Sequence, residues 1–190
     1  MRKLKVHRER HFSPHHALLG AAWIALGDAK EKRHGWKRYE LMAITFSALA
    51  LEAIANAFGA RLVPRWEKDF EKCPPTAKLR TVCMQLGIDV DFDREPWQTA
   101  LWLIKFRNNV AHAKPQFIDE KKIVSDQEYD MIKDVFPISN LEDQVSLPNA
   151  ERAVKEASSI LHLLCKQLPI EQQQGLMADG WSGTTTIVDE

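Results

Sequence analysis

Cysteine is scarce in this 190-residue chain. Cys73, Cys83 and Cys165 are the only three, and no two stand in a C-x-x-C spacing. That excludes a disulfide framework and a cysteine-rich zinc module, and it points to a reducing compartment. Net charge is also missing: 26 Lys and Arg balance 26 Asp and Glu. The field of the whole protein therefore does not draw it to nucleic acid or to a charged surface. No apolar run goes unbroken. The longest, Leu41 to Phe58, is interrupted by Thr45, Ser47, Glu52 and Asn56, so it reads as a buried helix rather than a membrane span. The N-terminus lacks the basic, apolar, small-residue order of a secretory leader, and the expected location is the cytoplasm. P-loop, dinucleotide-binding, HExxH and GxSxG motifs are absent. Asp89, Asp91 and Asp93 alternate as in a calcium loop, but Arg94 stands where that loop needs glycine and Ala100 where it needs glutamate.

What remains is the balance of an ordinary soluble domain, 45% hydrophobic and 27% charged. Residues 1–12 read as an extended basic arm carrying Arg2, Lys3, Lys5, Arg8 and Arg10 against Glu9. Such an arm is either a solvated terminus or a phosphate contact. Ser13-Pro14 is a helix start, and Leu18, Leu19, Ala22, Trp23, Leu26 and Ala29 follow at helical steps over 14–33. A second helix is expected over 36–59, short ones near 63–72 and 76–86, a third long one over 95–114, and a last over 148–168. No strand pair stands out. The expected class is all-α, an up-and-down bundle of four long helices plus short ones over residues 13–168. Residues 169–190 read as a polar, mobile tail.

Polar residues inside apolar helices carry the functional information. Arg38, Thr45, Glu52 and Asn56 fall close to one line of the second helix at 100° per residue. In the third long helix, Trp97, Leu101, Ile104 and Ala111 form one apolar stripe, and Leu103, Phe106, Val110 and Ala113 a second. Arg107 projects between them, followed by Asn108, Asn109 and His112. A guanidinium in that sector stays charged and demands acceptors. One reading is structural: Arg107 pairs with Glu52 to tie two helices, and His112 is a helix-end histidine. The other is chemical. Arginine neutralises a phosphate, histidine moves a proton near neutral pH, and asparagine orients either. Five residues put Arg107 and His112 about 140° apart on a regular helix. They converge only at a distorted helix end or across a two-fold interface.

Arg107-Asn108-Asn109-Val110-Ala111-His112 is an R-x4-H motif with a polar residue directly after the arginine. It resembles the signature of the HEPN superfamily (higher eukaryotes and prokaryotes nucleotide-binding), and Glu52-Ala53-Ile54-Ala55-Asn56 resembles an E-x3-N pattern common in it. The likeness covers residues 14–168. It implies a helical bundle that forms a homodimer through the motif-bearing helices. It also implies a metal-independent endoribonuclease without cofactor, acting on RNA, of the kind found in toxin–antitoxin and phage-defence systems with an antitoxin or other partner protein. Arg107 and His112 would then be the catalytic pair and Asn108 their assistant, with Glu52 and Asn109 in support. Other members keep the fold as non-catalytic RNA-binding, nucleotide-binding or protein-interaction modules, and that is the alternative.

The remaining features read as scaffold. His7, His11, His15 and His16 have metal-compatible spacing but span an arm and a helix start without acidic or cysteine partners. Cys83 and Cys165 fit apolar faces. The tryptophans are expected mostly in the core, with Trp102 toward the polar face of its helix.

Overall fold

A computed structural model describes residues 3–132, 135–177 and 180–188. The described chain is mostly helical, as an all-α class requires, with one two-stranded ribbon added. Strand β1 (Lys3–His11) is followed by α1 (Pro14–Lys30), α2 (Trp36–Leu62), α3 (Trp66–Asp69), α4 (Pro75–Gln85), α5 (Trp97–Ala111) and α6 (Asp126–Ile132). A 3-10 turn (Glu142–Gln144), α7 (Leu147–Lys166), α8 (Ile170–Gln173) and β2 (Gly180–Val188) complete it.

Local chemistry accounts for most boundaries. Pro14 occupies the first turn of α1, where its missing N–H costs nothing. Ser13 leaves the cap unmade; its hydroxyl donates instead to the Gly175 carbonyl at 2.6 Å. Gly35, at φ 81°, supplies the left-handed step into α2. Glu95 caps α5, accepting from the Thr99 N–H at 3.1 Å and the Thr99 hydroxyl at 2.7 Å. The Ser146 hydroxyl caps α7 by accepting from the Asn149 N–H at 3.4 Å. Helix α2 runs on past Gly59, where the sequence suggested a stop. The Trp66 ring lies so close to Gly59 that a Cβ there would sit 2.3 Å from it. This glycine serves close packing, not termination.

Helix α2 is the hub, touching α1, α3, α4, α5 and α7. Its Ala43, Ile44, Ala50, Ile54 and Phe58 are fully buried. It is apolar and long enough to cross a membrane by length and composition, yet half of its most apolar stretch lies inside the bundle. The polar line is confirmed as its edge: Arg38 is exposed, and Thr45, Glu52 and Asn56 are half-buried. On α1 the expected stripe holds at Leu19, Ala22, Leu26 and Ala29, but Trp23 is exposed beside Ile24. Of the other tryptophans, Trp66 and Trp97 are buried and Trp36 is exposed.

The ends of the chain depart most from expectation. The basic arm and the polar tail pair as an antiparallel ribbon, in register from Lys3 opposite Val188 to His11 opposite Gly180. The expectation of no strand pair is therefore corrected. The long-range partner supplies the backbone hydrogen bonds that neither segment makes alone. The base of the ribbon is tied down. His15 Nε2 lies 2.9 Å from the Leu176 carbonyl, and Arg61 donates to the carbonyls of Gln172 and Gln174.

One buried carboxyl makes a pH-dependent contribution. Glu40, 1% exposed, accepts from the Leu147 N–H at the start of α7, while its Oε2 has no partner. Burial pushes its pKa above the ordinary 4.5, opposed by Lys37 and the Leu147 N–H. The folded protein thus holds a proton that the unfolded chain releases. Stability is fully present below the ordinary carboxylate range and falls as pH rises through the raised value. Glu40→Gln is expected to remove that dependence and to raise stability at pH 7 by about 1 kcal/mol, or about 3 °C in Tm. Thermal melts of both proteins from pH 4 to 8 check this; parallel curves would contradict it.

Candidate functional site

The end of α5 leaves the core. Trp97, Ala100, Leu103, Ile104 and Phe106 are buried. Beyond Phe106 the helix overhangs: Arg107 and Val110 are half-buried, and Asn108, Asn109, Ala111 and His112 are exposed. The second apolar stripe fails at Ala113 and the first at Ala111, both of which are exposed. Arg107 is accordingly an edge residue, not a sealed core cation.

Its partners come from α2 and α4. Arg107 Nη2 donates to Glu52 Oε2 at 3.1 Å, and Nη1 donates to Asn108 Oδ1 at 3.0 Å. The other Glu52 oxygen, Oε1, accepts from Lys78 Nζ at 3.1 Å. The Lys78 side chain is 4% exposed, that of Glu52 23% and that of Arg107 33%. Two cations thus share one carboxylate. The triplet carries surplus positive charge, and only Arg107 brings it towards solvent. Guanidinium N–H groups not used by Glu52 and Asn108 remain for a second acceptor. A planar, permanently charged fork suits a phosphate.

Lys78, on α4, is not among the residues that the sequence singles out. The available signal was a lysine one position before the apolar stripe, on a helix packed against the Glu52 line. Only the tertiary contact makes it informative.

The Arg107–Glu52 pair is present, and Asn108 accepts from the same guanidinium. His112 is placed differently. It is the C-cap of α5, at φ −113° and ψ 17°, and its N–H donates to the Asn108 carbonyl at 3.0 Å. That is the helical i to i−4 bond, so the helix is regular up to His112. No distortion turns the histidine towards the arginine, and among the described residues no hydrogen bond joins them. Asn109 is exposed, and no side-chain hydrogen bond of it is present among the described residues. Asn56, half-buried one turn from Glu52 on α2, likewise makes none there.

Trp102 is engaged. Its Nε1 donates to Gln144 Oε1 at 3.2 Å, and the Arg152 guanidinium lies 4.8 Å from its ring centre. It anchors the 3-10 turn to α5 and α7. The thiols of Cys83 and Cys165 are buried and pushed up in pKa by burial, that of Cys83 to about 12. They are core groups, not nucleophiles. His7 and His11 lie on the ribbon and His15 and His16 on α1. Among the described residues no group of three or more His, Cys, Asp or Glu is placed to hold a metal ion.

The chain continues from His112 into an open excursion. Residues 113–125 have no regular structure, and α6 has no buried residue. Phe117 and Ile123 are almost wholly exposed, as are Tyr129 and Met131 in large part. Exposed large apolar side chains are thus spread along this excursion.

Comparison with protein-family models, with curated proteins and with solved structures finds no match to this chain.

Proposed function

We propose that this chain is a metal-independent endoribonuclease of the HEPN type, acting in the cytoplasm as a homodimer. The observation that carries the reading is the half-exposed Arg107. It is held by Glu52, which is in turn held by buried Lys78, and it stands on the same overhanging helix end as exposed His112. A purely structural ion pair has no need of a surplus cation or of an outward-facing histidine five residues on. The resemblance of the R-x4-H stretch supplies the reaction class.

In this reading Arg107 binds the scissile phosphate, and Asn108 fixes the plane of its guanidinium. His112 takes the proton from a ribose 2′-OH. The 2′ oxygen bonds to phosphorus, the bond from phosphorus to the 5′ oxygen breaks, and that oxygen leaves as a hydroxyl with the proton that His112 took up. The products are a 2′,3′-cyclic phosphate and a 5′-hydroxyl. Arg107 stabilises the charge that develops on the phosphoryl oxygens. No cofactor enters these steps. RNA cleavage in EDTA, lost in His112→Ala at unchanged melting temperature, is the expected result; equal cleavage by that variant would sink the proposal.

The regular helix up to His112 favours a site shared between two copies. Arg107 and His112 diverge by about 140°, so each reaches the complementary group on a partner across a two-fold axis. The exposed apolar side chains of the excursion that begins at residue 113 support such an interface. Phe117→Asp combined with Ile123→Asp is expected to weaken self-association by about 100-fold. Sedimentation across a concentration series reads this, and an unchanged monomer–dimer midpoint would contradict it. A toxin or phage-defence role, with an antitoxin or similar partner, follows from the resemblance and stands or falls with it.

The second reading is a non-catalytic RNA-binding or interaction module. One observation favours it: Arg107 already has a carboxylate partner within its own chain. It expects Arg107→Ala to lower stability and to leave no enzymatic activity to lose.

A further inference from the structure

The β1–β2 ribbon is the least explained part of the fold. It is nine residue pairs long. Every residue from Leu4 to His11 is exposed, and so is every residue from Ser182 to Ile187. Two strands alone are marginal in water. Here no third strand or helix covers either face among the described residues. Its charge is one-sided. Strand β1 carries Lys3, Lys5, Arg8 and Arg10 against Glu9, and β2 carries no charged residue. In a chain of zero net charge, that concentrates cations on a projecting element.

The two faces have different characters. Leu4, Val6, Arg8 and Arg10 share one with Thr185 and Ile187; Lys5, His7, Glu9 and His11 share the other with Ser182, Thr184 and Thr186. Gly183, opposite Arg8, has no side chain. It leaves an open depression of about 450 Å³ lined by Val6, His7, Arg8, Gly183, Thr184 and Thr185. Glu9 is taken by His7, with Nε2 to Oε1 at 3.6 Å. Among the described residues neither Lys5 nor Arg8 has a carboxylate partner. Cations flanked by hydroxyls are the usual contacts of a sugar–phosphate backbone.

We infer that the ribbon is a grip for the RNA backbone, with Lys5 and Arg8 as its principal phosphate contacts and Thr184–Thr186 as neutral donors beside them. The choice of RNA rests on the ribonuclease reading above; the affinity for phosphate rests on the ribbon itself. Rise per strand residue places Lys5 and Arg8 about 10 Å apart along β1, and they lie on opposite faces of the ribbon, so they reach different phosphates of a backbone that passes over its edge. The deep major groove of duplex RNA is too narrow for a ribbon, so the occupant is a single strand or the shallow minor-groove side. Pairing β1 with β1 of a second copy would set like charges opposite each other.

The test measures binding of the full chain to a 2′-O-methyl oligonucleotide, which attack by a 2′-OH cannot cleave. Binding is therefore read independently of catalysis. The logarithm of affinity is expected to fall with the logarithm of salt, and Lys5→Ala with Arg8→Ala to reduce that slope by about 1.4. At 0.1 M salt the double variant should bind about 20-fold more weakly. Lys5→Arg with Arg8→Lys should keep the wild-type slope, which separates charge from ribbon folding. An equal slope in the alanine variant would overturn the inference, as would a wild type that does not bind. A shift in sedimentation of the alanine variant at unchanged slope would also overturn it and assign the ribbon to a second copy. If cleavage is absent but the slope depends on Lys5 and Arg8, the grip stands and the ribonuclease reading falls.

Discussion

Glu52→Ala is expected to lower stability by about 3 kcal/mol, or about 6–12 °C in Tm. The reason lies with its partners. Lys78 is 4% exposed and has Glu52 as its only carboxylate among the described residues. Removing that carboxylate strands an ammonium inside the protein and leaves it and Arg107 with no anion between them. Breaking a buried pair from one side costs more than the pair contributed, because an uncompensated charge remains. The effect is placed at the low end of that range because Glu52 keeps some contact with water. Lys78→Met makes the opposite comparison. It leaves no buried charge, and Glu52 keeps Arg107, so the loss should be clearly smaller. Thermal or urea unfolding of the two variants decides it. If Lys78→Met is the more damaging, the carboxylate is not what holds this junction together.

The second large effect concerns chemistry rather than folding. His112→Ala is expected to reduce RNA cleavage by about 10²–10⁴-fold, the usual contribution of a positioned acid or base. His112 is exposed and lies beyond the last buried turn of α5, so its removal should leave the melting temperature within about 1 °C. Arg107→Lys should separate charge from shape. The ammonium can still pair with Glu52, which preserves most of the stability. It cannot present the planar fork to a phosphate, so cleavage should fall far more than Tm. Loss of both in proportion would make Arg107 a structural residue alone. Rates against RNA of defined sequence, with end analysis for the cyclic phosphate, read the outcome.

Local rules made much of this architecture legible. Pro14 and Gly35 each mark a boundary through chemistry confined to one turn. The Glu52–Arg107 pair was visible because two helical wheels each placed a charged residue in an apolar sector, and the cheapest solution is that they meet. What stayed hidden depended on distance. Lys5 faces Thr186 across the ribbon, a separation along the chain that no periodicity within either segment can report. The β-branched run Thr184–Val188 was the available hint. Lys78 and Glu40 hid for a related reason. A charged residue on a helix reads as solvated until its neighbours are known. The overhang of α5 also could not be read from its pattern. Val110 and Ala113 continue the stripe, yet Val110 is only half-buried and Ala113 exposed, which leaves the R-x4-H stretch at the surface of the described structure.

The geometry of that overhang also sets the most direct test. Arg107 and His112 diverge on an unbroken helix, so the proposed site takes one from each protomer. Arg107→Ala and His112→Ala proteins should each be inactive alone. Mixed under conditions that exchange protomers, they should regain about a quarter of wild-type RNA cleavage, since half of the dimers are mixed and each holds one intact site. A mixture that exchanges protomers yet stays as inactive as its components would contradict a composite site at this helix end.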